Sequence, residues 1–250
     1  MGKAIYFASD FHLGIPDYAR SLERERKVIR WLDQVKHDAS QIYLMGDVFD
    51  FWFEYKYTVP KYYVRLLGKL AELVDSGIRI DFFTGNHDMW AFDYLTTEIG
   101  IHIHRSPIII EHQGKKLFLG HGDGLGPGDY GYKFIKKIFA NPFCQWLFAR
   151  LHPNFAFGMA NYWSRKSRKG NPEKEEFIGE SNEWLLTYCR EVIVKEPDID
   201  LFIFGHRHLP LELKVNERST YYNLGDWFNW CSYLRFADGE AQLLYFEANQ

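Results

Sequence analysis

Five short polar clusters hold the side chains of this sequence that are best suited to chemistry. Each cluster follows a short apolar run and combines aspartate, asparagine or histidine, in most cases beside a glycine. The clusters are Asp10-Phe11-His12, Gly46-Asp47, Gly85-Asn86-His87-Asp88, Gly120-His121-Gly122-Asp123 and Gly205-His206-Arg207-His208. Carboxylate, amide and imidazole groups are the ligands of hard to borderline divalent metals. The clusters therefore indicate a metal centre.

The spacing of these residues predicts two metal ions. In a D-x-H or H-x-H pair that follows a strand, both side chains project to the same side, because the strand period is two. Two such pairs, with a lone Asp, a lone Asn and a lone His, are enough to surround two ions. Asp47 is the predicted bridging carboxylate. One site is completed by Asp10, His12 and His208, and the other by Asn86, His121 and His206.

Six apolar runs, five of which precede the clusters, are predicted to be buried strands. They cover residues 3–8, 41–45, 79–83, 116–119, 200–204 and 220–224, and helices are predicted at about 18–38, 59–76 and 91–98. Alternating strands and helices predict βαβ units in a largely parallel sheet, and ligands bind at the carboxyl edge of such a sheet. Residues 233–236 and 241–246, around Asp238-Gly239, predict a final hairpin. We therefore expect two packed sheets flanked by helices.

The segment 125–170 departs from this alternation. Between Tyr130 and Gly170 there are eight Lys or Arg residues and eleven aromatic residues, and there is no Asp or Glu. The net charge of the whole chain is -3, so the remainder carries about -11 (-3 minus +8). Linkers are not rich in aromatic residues. We interpret the segment as an inserted helical cap, which Pro142 and Pro153 divide into two or three short helices.

The bulk composition excludes several classes of protein. With 250 residues, 25% charged and 46% hydrophobic, the chain is typical of one globular domain, which we assign to residues 1–250. No run approaches eighteen uninterrupted apolar residues, so no membrane-spanning helix is expected. The first residues are predicted to enter a strand directly, so no signal peptide is expected either. The small net charge does not favour nucleic acid as a partner. Cys144, Cys189 and Cys231 are widely spaced, which indicates reduced thiols.

The order of the clusters resembles that of the calcineurin-like metallophosphoesterases. The matching motifs are DxH, GDxxD, GNHD, GHGD and GHRH, and they span residues 10–208. The resemblance implies an α/β fold of four layers, an αββα sandwich, with two metals at the sheet edge and the ligands named above. It also implies in-line attack on phosphorus by a metal-activated hydroxide. In many members the His of GNHD protonates the leaving group, which makes His87 the implied acid and Asp88 its partner.

Local segments are similar to the UDP-2,3-diacylglucosamine pyrophosphohydrolases of lipid A biosynthesis. Residues 47–52 resemble the GDxF(D/E)xW motif of that family, and residues 121–125, 129–130 and the basic, aromatic insertion are also similar. The implied reaction yields UMP and 2,3-diacylglucosamine 1-phosphate, usually with manganese (Mn²⁺), under a lid that holds the acyl chains. The implied substrate contacts are Asn86, His87, Asp129, Ser164 and His206.

A cap that is both basic and aromatic suits such a substrate. Lys and Arg pair with a diphosphate, and each buried methylene group of an acyl chain contributes roughly 0.8 kcal/mol. The same surface would be attracted to an anionic membrane. We therefore expect a cytoplasmic protein that is peripheral on the cytoplasmic face of the inner membrane.

Two alternatives remain open. The best-known members of the lipid A family have an arginine where this chain has His87, and a histidine could donate a proton as in ordinary phosphodiesterases. The first alternative is thus a calcineurin-like phosphodiesterase or phosphatase acting on another lipid, a nucleotide or a phosphoprotein. The second is a non-catalytic binding protein on this fold, which the complete set of ligands disfavours.

Overall fold

Eleven strands and seven α-helices make up the described part of the chain. The computed structural model describes residues 4–128, 130–169 and 176–247, with side chains for all of these except Asn161 and residues 163–169. The strands are β1 (Ala4–Ala8), β2 (Ala39–Leu44), β3 (Arg79–Phe83), β4 (His102–His104), β5 (Ile108–His112), β6 (Lys115–Leu119), β7 (Leu201–Phe204), β8 (Pro210–Lys214), β9 (Thr220–Leu224), β10 (Ser232–Ala237) and β11 (Glu240–Tyr245). The helices are α1 (Tyr18–Val35), α2 (Val64–Asp75), α3 (Tyr94–Thr97), α4 (Tyr130–Ala140), α5 (Pro142–Phe148), α6 (Pro153–Lys169) and α7 (Trp184–Lys195), with a 3-10 turn at Glu180–Asn182.

The strands form two mixed sheets, as the alternation of strands and helices predicted. The first has the order β11-β10-β1-β2-β3-β4, and the second has the order β5-β6-β7-β9-β8. Strands β1 to β4 are parallel to one another, and so are β6, β7 and β9. Antiparallel partners close the edges, among them the predicted hairpin of β10 and β11. The parallel strands end at the same edge of each sheet, which is the geometry that can gather ligands.

Apolar side chains join the layers of the sandwich. Phe7, Leu119 and Ile203 belong to a buried cluster that both sheets contribute to, so the sheets pack face to face. Trp31 and Leu32 of helix α1 pack into a second cluster on the outer face of the first sheet. Helix α7 packs on the outer face of the second sheet through a third cluster. The result is the expected four-layer αββα fold.

Several elements were not predicted from the sequence, and the strands among them are short or lie at sheet edges. Strand β4 has only three residues, and β8 lies at a sheet edge and begins with a proline. Strand β5 alternates half-buried and exposed residues, so it is not a fully apolar run. Helix α7 was also not predicted, although its buried residues Leu185, Leu186 and Cys189 follow helical spacing. Helix α3 is one turn long, which is shorter than the range predicted for it.

Helices α4, α5 and α6 form a helical insertion between β6 and α7. Pro142 and Pro153 are the first residues of α5 and α6, where a missing N–H costs no hydrogen bond. Neither α4 nor α5 has a buried residue, so these helices have no core of their own.

None of the helices in the described ranges combines the length and the apolar composition needed to cross a membrane. All three cysteines are free thiols.

Candidate metal centre

The five polar clusters lie in the loops that follow β1, β2, β3, β6 and β7. The first two loops are hydrogen-bonded to each other, because the backbone N–H groups of Asp10 and His12 donate to the carbonyls of Gly46 and Asp47, at 3.1 and 2.9 Å. The first three strands are neighbours in one sheet, and the other two are neighbours in the second sheet. The clusters therefore converge where the two sheets end side by side.

One group of potential ligands consists of Asp10, His12, Asp47 and His208, whose ligand atoms all lie within 4.8 Å of one another. His12 Nε2 is 3.7 Å from both Asp10 Oδ1 and Asp47 Oδ2. His208 Nε2 is 3.1 Å from Asp10 Oδ1 and 3.2 Å from His12 Nε2. Two carboxylates and two imidazoles in this arrangement suit a divalent cation.

A second group, made of Asp47, His121 and His206, shares its carboxylate with the first. His121 Nε2 lies 3.4 Å from Asp47 Oδ2, and the rings of His121 and His206 have centroids 5.1 Å apart. Asp47 thus belongs to both groups, and its role as a bridging ligand stays a prediction. Clusters of this kind suit divalent metal ions.

Asn86, in the loop after β3, is the remaining predicted ligand. Its Oδ1 atom is buried and has no hydrogen-bond partner, and the same is true of His121 Nε2. The next backbone N–H along the chain, that of His87, donates to Asp47 Oδ1 at 2.9 Å. Buried polar atoms without partners are costly, and a bound cation would satisfy both of them.

The backbone of the site is strained, and glycines make room for the carboxylates. Asp10, Asp47 and His206 have φ values of 56°, 52° and 67°, in the left-handed region that non-glycine residues seldom adopt. A side chain at Gly85 would collide with the carboxylate of Asp47, and one at Gly205 would collide with that of Asp10. Strain of this kind persists where the surroundings fix it, as at functional sites.

Backbone contacts also orient the rings and carboxylates. His121 Nδ1 donates to the carbonyl of Met45 at 2.7 Å, which turns Nε2 towards Asp47. The N–H of His206 donates to Asp10 Oδ2 at 3.0 Å, which leaves Oδ1 of the same carboxylate facing His12 and His208. Partners of this kind set the tautomer and the direction of metal ligands.

The two buried carboxylates govern the electrostatics of the site. Burial by itself raises their pKa, but nearby histidines hold the pKa of Asp10 and Asp47 well below the usual range. Burial likewise lowers the pKa of His12 and His121, yet Asp10 and Asp47 raise both values to about 10. Burial, with the neighbouring His121, lowers the pKa of His206 to about 4. The site therefore favours positive charge, which metal ions would supply.

The predicted pairing of Asp88 with the ring of His87 is wrong. Both carboxylate oxygens of Asp88 accept backbone N–H groups, from Gly85 at 2.7 Å and Val48 at 2.8 Å. Burial raises the pKa of Asp88 to about 7. The ring of His87 instead donates from Nδ1 to the carbonyl of Asp50 at 2.8 Å, so Asp50 orients His87 and Asp88 joins two of the ligand loops.

The residues predicted to contact substrate are only partly within the described structure. Asn86, His87 and His206 lie at the centre, as described above. Asp129 lies outside the described residues, and Ser164 lies in α6, where its side chain is outside the described part. That these residues contact the substrate stays a prediction.

Two residues that support the site were not identified from the sequence. Arg24 of α1 is buried, and its guanidinium donates to the carbonyls of Phe11 and His12 at 2.7 Å and of Ile15 at 2.5 Å. The guanidinium also lies 3.9 Å from the centroid of the Phe228 ring. The sequence signal that could have identified Arg24 is its helical spacing from the buried apolar residues of α1, such as Val28 and Trp31. Asp50, the other residue, is the last aspartate of the GDxxD motif.

Comparison with known proteins agrees with this geometry. The family model described as calcineurin-like phosphoesterase matches residues 3–210. The chain is similar to UDP-2,3-diacylglucosamine hydrolase of Porphyromonas gingivalis, with 41% identity over 93% of this chain and 94% of the relative. The enzyme of the same name from Aeromonas salmonicida is 27% identical over 95% of this chain and 91% of its own.

Among solved structures, the phosphoesterase Yfce from E. coli is similar, with a TM-score of 0.49 and 15% identity. The match covers 99% of this chain and 95% of that one.

Proposed function

The chain belongs to the calcineurin-like phosphoesterase family, and we propose that it hydrolyses the pyrophosphate bond of UDP-2,3-diacylglucosamine. The products are UMP and 2,3-diacylglucosamine 1-phosphate (lipid X). The observation that carries the hydrolase is the single carboxylate, Asp47, that belongs to both groups of potential ligands. The substrate is supported by the names of the relatives from Porphyromonas and Aeromonas. In this proposal residues 1–250 form one domain with a lid at about 125–170.

Two divalent ions, Mn²⁺ in this proposal, would be held by the residues at the sheet edge. Asp10, His12 and His208 would hold one ion, and Asn86, His121 and His206 the other, with Asp47 between them. Bound ions of this kind activate water at neutral pH and stabilise the charge on a transferring phosphoryl group. The unpartnered oxygen of Asn86 and the unpartnered Nε2 of His121 fit this role.

His87 is the proposed general acid. Its Nδ1–H is fixed on the carbonyl of Asp50, so Nε2 is the atom that can pass a proton to the leaving oxygen. Burial lowers the pKa of His87, but a bound diphosphate places negative charge beside the ring and favours its protonated form. Asn86 and His206 would also contact the phosphates, and Asp129 and Ser164 would contact other parts of the substrate.

The insertion would hold the acyl chains and touch the membrane. Exposed aromatic side chains cover it, including Tyr130, Phe134 and Phe143, and basic residues of the same helices lie among them. Exposed apolar patches bind lipids or partners, and each basic residue near an anionic surface adds about 1 kcal/mol of attraction. We place the enzyme on the cytoplasmic face of the inner membrane, where it would take its substrate from the bilayer.

One experiment tests the proposal directly. The manganese-loaded protein is incubated with UDP-2,3-diacylglucosamine in detergent micelles, and UMP is measured over time, with Asp47→Ala as the inactive control. Release of UMP by the wild type and not by the variant is the expected result. No UMP, together with cleavage of bis(p-nitrophenyl) phosphate by the same sample, would contradict the lipid substrate and leave the hydrolase.

A second candidate follows from His87 itself. A histidine at this position, with Nδ1 held by Asp50, can act as a proton donor in an ordinary phosphodiesterase on a nucleotide, a phosphoprotein or another lipid. A panel of soluble phosphodiesters separates the two candidates. The second is favoured only if one of them is turned over with a larger kcat/KM than UDP-2,3-diacylglucosamine.

A further inference from the structure

We infer that the loops carrying the metal ligands also anchor the helical insertion. The ion pair between Lys136 and Asp123 positions the insertion and thereby sets specificity for the lipid-linked substrate. This inference rests on the proposed function for its substrate, but the anchoring itself does not. It concerns residues that lie beside the ligands and are not ligands themselves.

The first anchor is polar and lies two residues after His121. The carboxylate of Asp123, only 5% exposed, accepts a hydrogen bond from the Tyr132 hydroxyl at 2.5 Å and contacts Lys136 Nζ at 2.5 Å. Lys136 Nζ also donates to the carbonyl of Asp123 at 3.1 Å. Lys133, one turn earlier, donates to the carbonyl of Gly126 at 2.6 Å. One face of α4 is therefore hydrogen-bonded to the loop that follows β6.

The second anchor is aromatic and involves the loops after β2 and β3. Trp90, four residues after Asn86, donates from Nε1 to the carbonyl of Phe139 at 2.9 Å, and its ring lies 5.0 Å from that of Phe148. Phe51, four residues after Asp47, lies 5.1 Å from Phe157 and 6.3 Å from Phe148. Ring contacts of this kind add about 0.5–1.5 kcal/mol each beyond burial.

The third anchor holds the chain where it returns from the insertion. Arg207 lies between the potential ligands His206 and His208, and its guanidinium donates to Glu183 Oε2 and to the carbonyl of Glu176, both at 3.2 Å. Glu183 directly precedes α7. With the polar and aromatic anchors, four of the five ligand loops thus contact the insertion or the segment that follows it.

These contacts matter because α4 and α5 bury no residue of their own. A segment without a core takes its position from its attachments, so losing one attachment moves the lid but leaves the ligands in place. A small diester needs only the ligands, whereas a diacylated substrate also needs the lid. Misplacement by about 1 Å can cost about 10²-fold in rate. The polar anchor should therefore affect the large substrate and spare the small one.

The test compares Lys136→Met with the matched control Lys137→Met, because Lys137 is the next residue of α4 and is exposed. The kcat/KM values are measured for UDP-2,3-diacylglucosamine and for bis(p-nitrophenyl) phosphate. We expect Lys136→Met to lose at least about tenfold on the lipid substrate, mainly through KM, and less than about twofold on the small diester. In neutral detergent micelles, which present no anionic surface, Lys137→Met should change neither value, and Lys136→Arg should restore most of the loss.

A second measurement needs no substrate. Hydrogen exchange of the α4 amides is followed in the wild type and both methionine variants, and faster exchange only in Lys136→Met supports the anchor. Equal exchange in all three proteins would overturn it. Equal losses on both substrates would overturn the specificity role, because the contact would then act on the ligands. If the wild type does not cleave the lipid substrate, the proposed function fails, but the exchange experiment still decides the anchor.

Discussion

The ligand loops and the helical insertion differ in what fixes their shape. The loops are held by buried groups: Asp88 joins two of them through backbone N–H groups, and Arg24 binds three carbonyls of a third. The insertion instead exposes many of its aromatic side chains, with Tyr130 80% and Phe143 65% exposed. In the proposed function, a rigid edge would hold the ions and an adaptable surface would receive a large apolar substrate, and these two tasks need opposite properties. We therefore expect changes in the ligand loops to affect the chemistry and changes in the insertion to affect the choice of substrate.

Asp47→Ala is expected to have the largest effect on the chemistry of the ligand loops. Because both ligand groups share this carboxylate, its loss should reduce turnover of every substrate by about 10³-fold or more. This rate change corresponds to several kcal/mol of lost transition-state stabilisation. Steady-state rates on the lipid substrate and on a small diester are the measurement. Retention of full activity on either one would remove Asp47 from the site.

His87→Asn tests the proton donor and should have the next largest effect. Without an imidazole, cleavage to a poor leaving group should fall by about 10²–10⁴-fold, whereas a p-nitrophenolate needs little protonation and should leave nearly as fast as before. The slope of log kcat against leaving-group pKa measures this directly. An unchanged slope would mean that His87 donates no proton.

The stability of the two regions should differ as sharply as their roles. Leu119→Ala removes a buried side chain between the sheets and should lower the free energy of unfolding by about 2–5 kcal/mol. Phe143→Ser, on the exposed face of the insertion, should change it by less than about 0.5 kcal/mol. Urea unfolding of both variants gives the comparison. A large loss from Phe143→Ser would show that the insertion has a core.

A smaller effect is expected at acid pH. Burial raises the pKa of Asp81, but hydrogen bonds with His104, Arg79 and Gln41 lower it well below its ordinary value. The folded state therefore binds this proton less readily than the unfolded state, so the stabilisation is present above about pH 4 and is lost as pH falls. Unfolding free energies between pH 7 and 3 should show a shallower acid slope for Asp81→Asn. Identical slopes would contradict the contribution.

The sequence predicted the site better than its supports. Asp10, Asp47 and His206 follow apolar strands directly, so their convergence follows from the parallel order of those strands. The partner of His87 could not be predicted in the same way, because Asp88 is adjacent in sequence but Asp50 is the residue in contact. Arg24 was missed for a similar reason, since its carbonyl partners belong to a loop a dozen positions earlier.

The fold shows the same division. Buried parallel strands such as β1 and β7 appear as continuous apolar runs and were predicted within one or two residues. Edge strands bury one face or less, so the apolar run of β5 is only three residues long and β8 mixes polar and apolar residues. Runs of apolar residues in the sequence predict which strands are buried, whereas contacts between distant loops leave no comparable pattern.

The central claim is that one carboxylate joins two metal positions, and metal stoichiometry tests it most directly. Manganese bound per chain is measured by equilibrium dialysis and elemental analysis for the wild type, Asp10→Ala, His121→Ala and Asp47→Ala. We expect two ions for the wild type, one for each of the single-site variants, and none held tightly by Asp47→Ala. A wild type that binds one ion, or an Asp47→Ala variant that still binds two, would contradict the account.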